Sequence, residues 1–139
     1  MKNQLFALIG LGLLLATASA YAQTGVVKAN VPFNFIVDQT EVPSGQYMIQ
    51  SISMNGTASS IQSSDRKLVK VILPNACESS QAQEKTKLVF HRYGDRYFLA
   101  QVWTEGNNRG IELPKSQRET EVAMDAPPAQ NVVVVATLR

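Results

Sequence analysis

Residues 85–104, Lys85-Thr86-Lys87-Leu88-Val89-Phe90-His91-Arg92-Tyr93-Gly94-Asp95-Arg96-Tyr97-Phe98-Leu99-Ala100-Gln101-Val102-Trp103-Thr104, form two runs rich in aliphatic and aromatic side chains around a Gly-Asp pair. Such a pair joins two strands in a tight hairpin, because glycine supplies the positive φ that a two-residue turn requires. A two-residue loop sets Tyr93 opposite Arg96, His91 opposite Phe98, Phe90 opposite Leu99 and Thr86 opposite Trp103. One face then carries Leu88, Phe90, Tyr97, Leu99 and Trp103, and the other Val89, His91, Phe98, Ala100 and Val102. A strand pair apolar on both faces belongs inside a sheet, with a second sheet or a helix over each face.

Downstream, Ser116-Gln117-Arg118-Glu119 has the form of a capping box, in which Ser116 and Glu119 satisfy each other's free amides at a helix start. The helix is expected to run to about Met124, where Asp125, Pro127 and Pro128 stop it. Glu119 is assigned to the cap and Glu121 to the solvated side. Val132 to Leu138 is a β-branched run expected as a strand buried on both sides.

Upstream, Val31, Phe33, Phe35 and Val37 alternate with other residues along one strand, and Pro32 places its start at an edge. Pro43-Ser44-Gly45 turns the chain into a strand over Gln46 to Met54, with a change of phase between Ile49 and Ile52. Asn55-Gly56 marks a hairpin turn into a polar strand from Thr57 to Ser63, expected at an exposed edge. A strand over Lys67 to Leu73 and a polar connection from Pro74 to Glu84 complete the path. About seven strands with hairpin-length links and one short helix define an all-β domain, an antiparallel β-sandwich or a small β-barrel. Periodicity leaves those two open, and the sandwich is preferred.

The first residues have another character. Lys2 precedes an apolar run from Leu5 to Ala18, and Ala18-Ser19-Ala20-Tyr21-Ala22 offers small-x-small cleavage sites. A signal peptide over residues 1–22, cut between Ala22 and Gln23, is expected, with residues 23–139 as a single β-domain in the periplasm or outside the cell. The run is shorter than the roughly 20 residues of a membrane span, and no cysteine follows the cut to take a lipid. Without Lys2 the charges are 12 Lys and Arg against 11 Asp and Glu, interspersed in sign. That balance argues against nucleic-acid binding, which needs a basic stripe. Cys77 is the only cysteine, so no internal disulfide can form, and it is expected to be partly buried.

Motifs for chemistry are sparse. One histidine and one cysteine make a poor zinc set, and no glycine-rich loop is placed to cradle phosphate. No catalytic residue, metal or cofactor is therefore assigned. His91 is read as a cross-strand contact and Asp95 as a turn residue. Tyr93, Tyr97, Trp103 and Arg109 are candidate ligand-binding residues, able to form a stacking surface for a small molecule, a glycan or a cell-envelope partner. The loop Glu105-Gly106-Asn107-Asn108-Arg109-Gly110 is a natural place for such a site. The leading expectation is a non-enzymatic binding or structural domain. One alternative is a carrier of a small apolar ligand in a closed barrel, and another is a hydrolase using Glu105 and Glu112.

Val31-Pro32-Phe33-Asn34-Phe35, Pro43-Ser44-Gly45-Gln46-Tyr47, Leu88 to Leu99 and Glu112-Leu113-Pro114-Lys115-Ser116 together resemble a family of small exported bacterial β-proteins of unknown function. The resemblance implies a bacterial source, an exported all-β domain and a helix or helical turn after Pro114. It implies no activity, cofactor or site residue.

Overall fold

The computed structural model describes residues 25–54 and 57–139, so the expected signal peptide, its Ala22–Gln23 cut and the Asn55-Gly56 turn lie outside the described residues. Among the described residues, twelve strands form two sheets with one helix. They are β1 (Val27–Val31), β2 (Phe35–Val37), β3 (Thr40–Val42), β4 (Gly45–Ser51), β5 (Ser59–Ser63), β6 (Val69–Ile72), β7 (Asn75–Glu78), β8 (Lys87–Tyr93), β9 (Arg96–Trp103), β10 (Arg109–Glu112), β11 (Gln130–Val135) and β12 (Thr137–Leu138), with α1 (Gln117–Asp125) between β10 and β11. The first sheet has the order β12-β1-β4-β5-β6. The second runs β11-β8-β9-β10-β7, with β2 paired to β9 and β3 to β2. The fold is an all-β sandwich, and the barrel alternative is not realised.

Prolines explain why about seven expected strands become twelve. Pro32, Pro43 and Pro74 each stand where the chain leaves one sheet for the other, between β1 and β2, β3 and β4, and β6 and β7. A residue without an N–H ends the ladder and lets the chain turn. The expected Val31 to Val37 strand is thus two strands in different sheets, although all four of its alternating side chains still reach the core. Asn34 Oδ1 accepts from Ser44 N at 2.9 Å, tying two of the crossings together. A fourth crossing, at Ala136, splits the expected final strand into β11 and β12, and Ala136 N donates to Thr86 O there. Far from being buried on both sides, β11 is an edge strand with Val133 and Val135 exposed.

Between the sheets, Val27, Ala29, Val31, Tyr47, Ile49, Ile61 and Ile72 of the first meet Phe35, Val37, Leu88, Phe90, Leu99 and Val102 of the second. Phe90 is wholly buried and takes the edges of Phe33 and Phe35, with ring centroids 5.0 and 5.3 Å apart. Phe35 in turn meets Tyr47 at 5.1 Å. Rings at these distances and near-perpendicular angles fill the interior.

The hairpin register holds from Tyr93–Arg96 to Phe90–Leu99 and then slips, so that Trp103 pairs with Lys87 and not Thr86. Ala100 is the extra residue of this β-bulge, and its carbonyl accepts from Leu113 N. The bulge reverses the faces beyond it: Val102 enters the core and Trp103 turns to the outer face. There Trp103 lies across Gly110, where a Cβ would sit 2.7 Å from the indole and 2.8 Å from Val102 O. Gly110→Val is expected to destabilise the domain by about 1–3 kcal/mol through overpacking. Urea unfolding measures the loss, and a shifted emission of the single tryptophan reports the displaced indole.

Two polar stretches also behave differently from expectation. β5 lies inside its sheet between β4 and β6, because its small Ser59 and Ser60 can be buried beside Ile61. Within the connection from Pro74 to Glu84, Asn75–Glu78 forms β7 and pairs with β10, leaving Cys77 half-buried opposite Gly110. Beyond Ser51 the strand after Pro43 ends without a bulge, and Ile52 is exposed.

Candidate functional site

The helix covers the outer face of the second sheet through a short apolar stripe. Val122, Ala123 and Ala126 pack on Ile36, Tyr93 and Phe98. Ser116 is the N-cap, with its side chain accepting from Glu119 N, so half of the expected capping box forms. The other half does not. Glu119 lies three and four residues before Val122 and Ala123, on the same stripe, and its carboxylate turns inward to the sheet.

Only 4% of Glu119 is exposed, and its Oε2 accepts from Tyr93 Oη at 2.9 Å and pairs with His91 Nδ1 at 2.9 Å. An ionised carboxylate cannot donate, so His91 carries its proton on Nδ1 in this pair. Burial pushes the Glu119 carboxyl up, but the bonds from His91 and Tyr93, with the charges of His91 and Lys115, outweigh it and hold the group below its ordinary value. Burial, and then Glu119, push the Tyr93 phenol up to about 12. Three titratable groups therefore converge, but within a packed helix–sheet contact. A carboxylate orienting an imidazole is also the support of a general base. Here the same oxygen is shared with a phenol, which suits fastening the helix.

The four residues singled out from sequence do not share a surface. Tyr93 lies under the helix, whereas Tyr97 stacks on Phe33 at 3.8 Å with Arg92 over its ring at 5.5 Å. Trp103 is buried on Gly110, its Nε1 donating to Gln101 Oε1 at 3.0 Å. Arg109 is exposed in β10 and pairs with Glu78 at 3.2 Å. The loop before it is tied down, with Ser79 N and Gln83 N donating to Asn108 and Asn107 and Gly106 N to Gln83. Glu112 pairs with Gln101 within β9, whereas Glu105 lies in the turn beyond that strand's end at Trp103.

Open clefts line the surface. One of about 340 Å³ is bounded by Asn34, Glu41, Asp95 and Tyr97, and one of about 520 Å³ by Tyr93, Glu121 and Asp125; both share Arg96 and Arg118. Their charges are mixed, and Arg118 is engaged by Glu41 and by the Gln39 carbonyl. A third cleft, of about 260 Å³, is apolar and opens between the sheets beside Val27, Ile49, Val102 and Ile111. Among the described residues no group of three His, Cys, Asp or Glu side chains is arranged to hold a metal. Among them, too, no helix is long and apolar enough to cross a membrane.

The first sheet presents a different surface. Val69, Val71 and Leu73 are 58%, 53% and 72% exposed, and Ile52 is 51% exposed. The register sets Val71 beside Ser60 and Ser60 beside Gln50, and Ile52 N bonds Ala58 O one step along. Val69 and Val71 thus lie on the outer face at one edge of the sheet, with Ile52 on the same face across Ala58. Sequence reading missed this flank, because a run such as Leu68-Val69-Lys70-Val71-Ile72 does not say which alternate set faces the core.

Compared with known proteins, the chain matches no family model, no curated protein and no solved structure.

Proposed function

We propose that this chain is an exported, non-enzymatic binding domain that works through the outer surface of its first sheet. Export is supported by the Lys2, Leu5 to Ala18 and Ala18 to Ala22 pattern. The observation that carries the binding role is the apolar flank of Ile52, Val69, Val71 and Leu73, exposed on a domain whose interior aromatics are packed against one another. Large apolar side chains gathered on one exposed sheet face mark interaction sites more often than apolar residues scattered singly. The partner is a component of the cell envelope or its surroundings that offers an apolar face.

Joint substitution of Val71→Ser and Leu73→Ser tests this. Both side chains are exposed, so the fold is expected to hold within about 1 kcal/mol by urea unfolding. Recovery of the bound partner from envelope extracts is expected to fall sharply. Undiminished recovery, or a catalytic turnover abolished by Glu119→Gln, contradicts the reading.

A further inference from the structure

The free edge of β6 adds a second observation to the apolar flank, and it concerns backbone groups. Among the described residues β6 is the end strand of the first sheet, paired on one side by β5. Ser63 N donates to Leu68 O and Leu68 N to Ser63 Oγ, so both backbone groups of Leu68 face β5. Since backbone groups alternate in direction along a strand, those of Lys70 and Ile72 also face β5, and the N–H and C=O groups of Val69 and Val71 point away from it. The same residues carry the exposed side chains. Backbone donors, backbone acceptors and apolar contacts are therefore offered together along one edge.

Charge limits what can pair there. Arg66, Lys67 and Lys70 lie in and just before the strand, while Asp65 is engaged by Ser63 Oγ at 2.6 Å and Lys67 N at 3.1 Å. Lys70 shares a face with the core residue Ile72 and pairs with Ile61, so an added strand must place a residue beside it. A second copy of β6 fits badly: the antiparallel register that overlaps Lys67 to Leu73 from end to end sets Lys70 against Lys70. Like charges directly opposed are unfavourable, and an edge lysine is a common guard against self-pairing.

We infer that β6 accepts, as an added strand, an extended segment of a partner protein with apolar residues alongside Val69, Val71 and Leu73 and a carboxylate opposite Lys70. This rests on the surface-binding reading and names the partner's chemistry. Main-chain bonds supply the attachment and alternate side chains the selectivity, as in other strand-addition complexes.

The probe is a fluorescein-labelled synthetic peptide of alternating valine and threonine with one central glutamate, compared with its twin carrying lysine at that place. The protein is the chain expressed from its full sequence, and the readout is fluorescence anisotropy. Saturable binding of the glutamate peptide is expected, weaker by about fivefold or more for Lys70→Glu, which should in turn prefer the lysine peptide. Val71→Pro, checked for folding by circular dichroism, should abolish binding by removing an outward N–H. No saturable binding up to about 1 mM, or binding indifferent to the charge exchange, overturns the inference. Self-association sensitive to Lys70→Glu, seen by sedimentation, overturns it in favour of a second copy. If the peptides fail while Val71→Ser with Leu73→Ser still abolishes partner recovery, strand addition falls and surface binding stands. If both fail, both fall.

Discussion

Phe90→Ala is expected to destabilise the domain by about 3–5 kcal/mol, the usual cost of truncating a buried aromatic. Phe90 is wholly buried and sits where the two sheets and the β1–β2 crossing meet, with Phe33 and Phe35 both edge-on to it. Neither neighbour can swing far to refill the space, because Tyr97 is stacked on Phe33 and Tyr47 packs against Phe35. The cavity term therefore adds to the lost transfer energy. Domains of this size hold only about 5–15 kcal/mol in total, so the variant should unfold at a much lower urea concentration, with a larger loss than Gly110→Val. A loss under about 1 kcal/mol would show that the aromatic cluster is not the centre of the core.

Glu119→Ala should cost about 2–4 kcal/mol at neutral pH, because Tyr93 Oη and His91 Nδ1 lose their shared acceptor inside a helix–sheet contact. The apolar stripe of Val122, Ala123 and Ala126 is too small to hold α1 with the same firmness alone. The pH dependence has a definite sign. Glu119 has a folded-state pKa below its ordinary 4.5, so its stabilisation is fully present above that value and is lost as pH falls through the folded pKa. The stability gap between the native chain and Glu119→Gln should therefore be present at about pH 5 and close in more acidic solution. Urea midpoints of both proteins across that range measure it. A gap unchanged at acid pH would mean that the charge of Glu119 does not hold the helix.

The β8–β9 hairpin was legible because a Gly-Asp turn between two apolar runs has few alternatives, and Gly94 does carry the positive φ the turn requires, at 63°. The helix was legible from its cap and from the prolines beyond it. Other features resisted reading for physical reasons. A bulge at Ala100 leaves composition untouched while exchanging the faces of Val102 and Trp103, and so moved the tryptophan off the face it was expected to share with Tyr97. Pro32 was read as an edge start, and Pro43 and Pro74 as breaks, but none as a crossing between sheets, since a crossing needs a second sheet to be visible. Val132 to Val135 showed β propensity, which does not distinguish an edge from a centre. Glu119 could have been placed inward from its spacing to Val122, Ala123 and Ala126, but the capping pattern offered a nearer explanation. Of the candidate surface, Val69, Val71 and Leu73 were visible within an expected strand, and only the register of β6 showed that its valines face outward.

The claim that this domain works through its first sheet is tested most directly by site-specific photocrosslinking in cells that make the full chain. Benzoylphenylalanine replaces Val71 on the apolar flank in one protein and Asp125, beside the Arg96–Arg118 cleft, in another. The account predicts one defined adduct from position 71, lost when Lys70→Glu is added, and none from position 125. An adduct from position 125 with none from position 71 would contradict it.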